Sequence, residues 1–170
     1  MRNILTFDAK NYELKDQVIH RTAIRAIIIE KPYIYLIQSK KYQEYKFPGG
    51  GLLQGETHLE TLIRETKEEA GIKIKNQIKP YGHIAEKRKS VFESNAIFKM
   101  DSYYYLCEIL SMGHEQQLDP YEKVYGYELK KVLLDDAIKQ NEKLVDSNQN
   151  KIPWVKRELY VLKMIKEELF

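Results

Sequence analysis

The chain has 170 residues, of which 43% are hydrophobic, 31% charged and 11% aromatic, which is typical of a folded globular protein and excludes a mainly disordered one. Its net charge of +3 is too small to indicate a nucleic acid or an anionic membrane as the main partner. The single cysteine, Cys107, excludes a disulfide framework, and residues 1–8 lack the apolar core of a signal peptide. We therefore expect one cytoplasmic domain over residues 1–170 that does not cross a membrane.

The predicted elements alternate between strands, which are rich in β-branched and aromatic residues, and helices, which show an apolar period near 3.6. In chain order they are strands at 20–30, 33–39 and 44–47, a helix at 57–70, extended segments at 72–78, 82–87 and 99–110, a strand at 125–132, and helices at 135–144 and 154–169. This order favours a mixed β-sheet covered by helices on both sides.

The helix at 57–70 carries the clearest end signals. Thr57 followed by Glu60 is a capping-box pattern, and Gly71 stands where a left-handed C-terminal cap belongs. Successive 100° steps along this helix place the residues at positions 59, 62, 63, 66 and 70 on one narrow face. We expect that face to pack against the sheet.

Three glutamates, Glu65, Glu68 and Glu69, share another face of the same helix at i, i+3 and i+4 spacing. Like charges at this spacing repel by a few tenths of a kcal/mol per pair on a bare helix. A hard divalent cation would offset this repulsion, since Mg²⁺ binds oxygen ligands such as carboxylates together with substrate phosphates. A solvated acidic stripe is the alternative. The preceding Gly49–Gly51 run supplies bare backbone, for which a simple turn is the first interpretation.

These residues together resemble a known motif. Gly50, Glu56 and the segment 64–72 are similar to the 23-residue Nudix box, G-x5-E-x7-R-E-U-x-E-E-x-G-U, and agree at its seven fixed positions. One position departs, because the first U is normally a bulky aliphatic residue and here is Thr66. We expect the Thr66 methyl to pack in the core and its hydroxyl to bond to the Leu62 carbonyl.

The resemblance implies an α/β/α sandwich around a mixed sheet, in a family that hydrolyses a nucleoside diphosphate linked to another group. By position in the motif, Glu65, Glu68 and Glu69 resemble metal-binding carboxylates, and Gly50 resembles the residue that offers its carbonyl to the metal. The implied cofactor is Mg²⁺, with Mn²⁺ as a substitute. Either Glu65 or Glu69 is expected to be the base that deprotonates the attacking water.

Three further residues receive roles from the resemblance. Arg64 resembles the arginine that orients the box glutamates, and it is expected to reach Glu60 or Glu68. Glu56 is expected to anchor the loop against Arg64, although both residues have an equally good purely structural role. A downstream carboxylate assists in some family members, for which Glu122 is the candidate here and a plain loop glutamate is the alternative.

Substrate contacts are less well marked in the sequence. Arg25, Lys40 and Lys41 lie near the entry to the box and are candidates for binding substrate phosphates, with exposed strand-end charges as the alternative. Lys87-Arg88-Lys89 is interpreted as a solvated loop between strands. Candidates for stacking on a base are Phe92, Phe98 and Tyr103.

The expected partner is a small nucleotide, with nucleic acid not expected and a homodimer left open. The segment beyond the box, Lys87-Arg88-Lys89, supports neither an ADP-ribose nor a dinucleoside polyphosphate preference, and a damaged nucleoside triphosphate stays open. Two other functions remain as alternatives. One is a Nudix domain that senses a nucleotide without turnover, and the other is removal of pyrophosphate from the 5′ end of RNA.

Overall fold

A computed structural model describes residues 1–13, 15–90, 93–147 and 152–170. It contains the strands β1 (Asn3–Asp8), β2 (Gln17–Glu30), β3 (Tyr33–Ser39), β4 (Tyr45–Lys46), β5 (Gly49–Gly51), β6 (Lys73–Ile74), β7 (Lys79–Lys89), β8 (Ala96–Leu106), β9 (Ile109–Ser111) and β10 (Tyr127–Leu133), and the helices α1 (His58–Ala70), α2 (Pro120–Tyr125), α3 (Leu134–Asp146) and α4 (Val155–Leu169). No helix among these described residues has the length and apolar character that a membrane span requires.

The main sheet has the strand order β1-β7-β8-β2-β3-β10, with β5 added beside β2 and β4 beside β3. It is mixed: β1 runs parallel to β7 and β2 parallel to β8, whereas β7 and β8, β2 and β3, and β3 and β10 are antiparallel. A small second sheet pairs β6 with β9. The long strand β2 therefore stands at the centre, with β8, β3 and β5 as its neighbours.

Two apolar cores lie on opposite faces of this sheet, because the side chains of β2 alternate between them. Ile24 and Ile28 belong to the core that contains Leu62 of α1. Ile27 belongs to the core that contains Leu134 of α3 and Leu162 of α4. Helices therefore cover both faces, which confirms the predicted α/β/α sandwich around a mixed sheet.

The local signals of α1 are confirmed atom by atom. The Thr57 hydroxyl accepts the Glu60 backbone N–H at 3.3 Å, the Glu60 carboxylate accepts the Thr57 backbone N–H at 2.8 Å, and Gly71 adopts the left-handed conformation with φ 63°. Thr66 is buried, and its hydroxyl donates to the Leu62 carbonyl at 2.7 Å as expected. Thr66 therefore fits this buried position of the motif with its hydroxyl satisfied.

Several element predictions were wrong. The strand β1 was not predicted, and residues 72–78 contain only the two-residue strand β6. The glycine run is a strand, since β5 pairs with β2. Residues 87–89 end strand β7 instead of forming a loop. Glu122 lies in the helix α2, which Pro120 at the first helical position and a left-handed Gly126 delimit.

Candidate active site

Arg64 joins the loop before α1 to the helix itself. Its Nε and Nη2 donate to the two carboxylate oxygens of Glu56 at 2.7 and 2.8 Å, and Nη2 also donates to the Gly51 carbonyl at 3.0 Å. On the helix side, Nη1 donates to Glu65 at 2.6 Å and lies 3.4 Å from Glu68. The arginine therefore orients two of the three box glutamates and fixes the loop at the same time.

The Glu56 carboxylate is held in place by more than Arg64. It also accepts the Leu53 backbone N–H at 3.2 Å and the Thr61 hydroxyl at 2.8 Å. Hydrogen bonding to Arg64 is the main reason that the pKa of Glu56 falls to about 2. Glu60, the other residue that Arg64 was expected to reach, instead bonds to Thr57.

The glycines of β5 are required by close contacts on both sides. Gly49 has φ +137°, and a Cβ there would overlap the backbone of Ile24 in β2. A Cβ on Gly50 would overlap the Glu65 carboxylate, which rests directly on its backbone. The Gly49 N–H also donates to Glu69 Oε2 at 2.9 Å. Bare backbone thus lets two glutamates of α1 reach the strand.

The carboxylates are unevenly exposed, and this determines their electrostatics. The Glu65 side chain is 14% exposed and Glu69 is 1% exposed. Burial raises the pKa of Glu65, and the charges of Glu68 and Glu122 raise it further against the opposing effect of Arg64. Burial likewise raises the pKa of Glu69 to about 7, although Lys46 lowers it. Negative charge in this cluster is therefore poorly compensated by the protein.

Glu122 joins the box glutamates from α2. Its buried carboxylate accepts the Asp119 backbone N–H at 2.9 Å and the Tyr121 hydroxyl at 3.0 Å, and its charge contributes to the raised pKa of both Glu65 and Glu69. The fold therefore brings Glu122 close to Glu65 and Glu69. A plain loop glutamate, which is the alternative interpretation, would have no reason to lie there.

The donor set fits a hard divalent cation, because carboxylates and backbone carbonyls are the ligands that Mg²⁺ prefers. Glu65, Glu68, Glu69 and Glu122 are neighbours, and the Gly50 backbone lies against Glu65. Over the described ranges, however, no three acidic, histidine or cysteine side chains are already grouped so that they could hold a metal ion. The site thus holds suitable ligand groups near one another, but their side chains are not yet arranged in a coordination geometry.

A cleft of about 500 Å³ opens beside this cluster. Its lining includes Lys46 and the glycines of β5, together with Phe98, Pro153 and Trp154. Tyr121, Tyr125 and Tyr127 form an aromatic wall along it, and their rings contact in sequence at 6.2 and 5.8 Å between centroids. The cleft therefore reaches the glutamate cluster through Lys46 and Gly50, which contact Glu69 and Glu65, and it carries an aromatic wall.

The three predicted phosphate-binding cations are not brought together. Arg25 lines the cleft, but it is buried and faces Glu158 at 3.8 Å. Lys40 forms an ion pair with Glu128, outside the cleft lining. Lys41 lies over the ring of Tyr125 at 5.3 Å and is likewise not part of the lining.

The three residues predicted to stack on a base are likewise not brought together. Phe98 lines the cleft, and the Arg88 guanidinium lies 4.7 Å above its ring. Tyr103 points to the other face of the sheet, where it packs between His58 and His83. Phe92 lies outside the described residues.

Residues that the sequence did not single out form much of the cleft. Arg21, Lys46, Tyr127 and Trp154 all line it. Lys46 had a signal, because it is a lone cation between two aromatic residues directly before the Pro-Gly-Gly-Gly segment. Trp154 is the single tryptophan, but nothing in its local sequence links it to residues a hundred positions earlier.

Comparison with known proteins agrees with this geometry. The family profile described as NUDIX domain matches residues 19–155. A MutT NUDIX hydrolase structure from Burkholderia pseudomallei aligns with a TM-score of 0.50 at 18% identity, covering 69% of this chain and 85% of that one. A NUDIX hydrolase from Nitrosomonas europaea aligns with a TM-score of 0.57 at 15% identity, covering 84% of this chain and 87% of that one. A comparison with curated proteins gives no significant match.

Proposed function

The chain belongs to the Nudix hydrolase family, and we propose that it is a Mg²⁺-dependent pyrophosphohydrolase that cleaves the diphosphate bond of a small nucleotide. The observation that carries this proposal is the arrangement around Arg64. One guanidinium fixes Glu56, the Gly51 carbonyl and Glu65 at 2.6–3.0 Å, beside the glycine strand β5 that lines the cleft.

In this proposal Glu65, Glu68, Glu69 and Glu122, with the Gly50 carbonyl, hold the divalent cation. Once bound, Mg²⁺ (or Mn²⁺ in its place) neutralises the charge that grows on the diphosphate oxygens. The protein's own residues fix the geometry: Arg64 holds Glu65 in position, and Glu56 holds Arg64.

Glu65 is the stronger candidate for the base that takes a proton from the attacking water. Its side chain keeps 14% of its surface exposed, so water reaches it, and it faces the open strand β5. Glu69 is almost fully buried, and both of its oxygens are engaged by Gly49 and Lys46. Arg64 keeps the Glu65 carboxylate oriented for this transfer.

The shape of the cleft supports a nucleotide substrate. Its volume of about 500 Å³ lies within the usual range of small-molecule sites. The β5 glycines and Lys46 would face a metal-bound diphosphate, and Phe98 with Arg88 above it offers a flat face for a base. Cytoplasmic location, a single domain over residues 1–170 and a homodimer stay predictions.

The direct test is a panel of nucleoside diphosphate derivatives and nucleoside triphosphates with Mg²⁺ or Mn²⁺, in which release of the mononucleotide is followed. Wild type should release it only with the metal, and Glu68→Gln should lose at least a hundredfold in kcat while keeping its circular dichroism spectrum and melting temperature. Undiminished metal-dependent turnover in Glu68→Gln would refute the site assignment.

The same panel separates the two alternatives. Tight binding of ADP-ribose without any metal-dependent product would indicate a sensing domain. Activity on 5′-triphosphorylated RNA alone, falling steeply with salt, would indicate an RNA pyrophosphohydrolase.

A further inference from the structure

Lys46 is a buried cation in contact with the metal-binding cluster. Its side chain is 8% exposed, and its ammonium forms an ion pair with Glu69, which is 1% exposed. A buried charge is costly unless it is paired, so each of these two groups depends on the other. Strand β4 and helix α1 supply the two partners, which places a protein cation where a metal would bind.

This ion pair competes with a metal for one specific atom. Glu69 Oε2 accepts the Gly49 backbone N–H at 2.9 Å, so that oxygen is held by β5. Oε1 faces the Lys46 ammonium, and in the described parts of the chain no hydrogen-bond donor reaches it otherwise. A divalent cation can therefore use Oε1 only if the ammonium moves away.

The surroundings provide a place for the displaced ammonium. The Lys46 Nζ lies 4.3 Å from the centre of the Tyr127 ring, and both residues line the cleft beside the glycines of β5. Two other cations of the cleft already have carboxylate partners in the protein. Arg157 pairs with Glu86 and Glu158, and Arg25 faces Glu158. A released Lys46 would keep its cation–π contact and add a free positive charge to the cleft.

We propose that Lys46 is the internal counter-ion of Glu69 in the metal-free protein, that the divalent cation displaces it, and that its ammonium then binds a phosphate of the substrate. This inference rests on the proposed function. It assigns to Lys46 a substrate-binding role that is coupled to metal binding, because its ammonium leaves the Glu69 carboxylate and then binds the phosphate.

The test compares Lys46→Met with Lys41→Met as a matched control. Both lysines lie over tyrosine rings, but among the described residues Lys41 is outside the cleft lining and forms no ion pair with the glutamates. Mg²⁺ affinity is measured by titration calorimetry without substrate at several pH values from 7 to 9. Lys46→Met should bind Mg²⁺ at least tenfold more tightly at the upper end of this range, or about 1.4 kcal/mol, because the competing cation is gone. Lys41→Met should bind as wild type does.

Two further readouts belong to the same proposal. Without metal, Lys46→Met should melt several degrees below wild type, and Mg²⁺ should raise its melting temperature by more than it raises that of wild type. With metal, its KM for the nucleotide should rise at least tenfold, whereas Lys46→Arg should keep most of the affinity. If Lys46→Met does not fold, Lys46→Gln replaces it, since its amide can donate to Glu69 without a charge.

The outcomes distinguish this inference from the proposed function. If wild type binds no divalent cation and hydrolyses no nucleotide, both the proposed function and this inference are refuted. If wild type is active but the neutral Lys46 variant binds Mg²⁺ no more tightly at any pH, displacement is overturned. Proton uptake by the unpaired Glu69 would only weaken metal binding, so it cannot mimic a tightening. An unchanged KM would overturn the phosphate contact.

Discussion

The substitution Arg64→Lys tests whether the guanidinium, and not only its charge, organises the site. Arg64 makes four hydrogen bonds between 2.6 and 3.0 Å to three groups, namely both oxygens of Glu56, the Gly51 carbonyl and Glu65. A lysine ammonium donates from a single point and lacks the planar fork that engages both oxygens of a carboxylate. We therefore expect lysine to keep about two of these four bonds.

The expected loss follows from the two missing bonds. Hydrogen bonds to charged groups contribute about 1.5–3 kcal/mol each, and the side chain is 25% exposed, so the lower value applies and the total is about 3 kcal/mol. For a domain of this size the melting temperature should fall by roughly 10 °C. Turnover should fall about 100-fold, because Glu65 loses its fixed position.

Urea denaturation and metal-dependent mononucleotide release measure the two effects. Arg2→Lys is the control, since Arg2 also pairs with a carboxylate, that of Glu168, but on the surface. Its cost should stay below about 1 kcal/mol, with normal turnover. The reasoning is refuted if Arg64→Lys is as stable as wild type to within about 0.5 kcal/mol and turns over at the same rate.

Two other predictions concern the buried carboxylates and the glycine strand. The pKa of Glu69 is about 7 in the folded protein against 4.5 ordinarily, so the unfolded chain loses this proton first. The contribution of Glu69 to the stability of the metal-free protein should therefore be full below pH 4.5 and fall by about 3 kcal/mol by pH 7. Urea denaturation in EDTA at several pH values should show this fall between pH 4.5 and 7 as the difference between wild type and Glu69→Gln. Gly50→Ala should lower kcat at least tenfold, since its Cβ would overlap the Glu65 carboxylate, whereas Gly51→Ala meets only the tip of Arg21 at 3.4 Å and should be nearly neutral. Equal kcat values for the two alanine variants would contradict this close contact.

Local signals in the sequence were sufficient for the helix that bears the glutamates. The capping box, the left-handed glycine and the Thr66 hydroxyl bond each involve residues within four or five positions of one another. Arg64 and Glu56 are also close enough in sequence for their contact to be anticipated. Such short-range chemistry depends little on the rest of the chain.

The remainder of the site depends on packing between distant segments. Lys46 meets Glu69 because β4 and α1 approach one another, and Trp154 reaches the cleft from the start of α4. The glycine run became a strand because β2 extends past β3 and leaves an edge for β5. Arg25 was expected to bind substrate, but a carboxylate more than a hundred positions away, that of Glu158, faces it. The local sequence marks Lys46 as unusual, but it does not indicate which distant residue any of these side chains contacts.

The most direct measurement of the central claim is a crystal of the protein soaked in Mn²⁺ and examined by anomalous diffraction. We predict a strong peak within coordination distance of the Glu65, Glu68 and Glu69 carboxylates and the Gly50 carbonyl, with the Lys46 ammonium moved away from Glu69. A map without a peak between these residues, from crystals that bind Mn²⁺ elsewhere or not at all, would contradict the account.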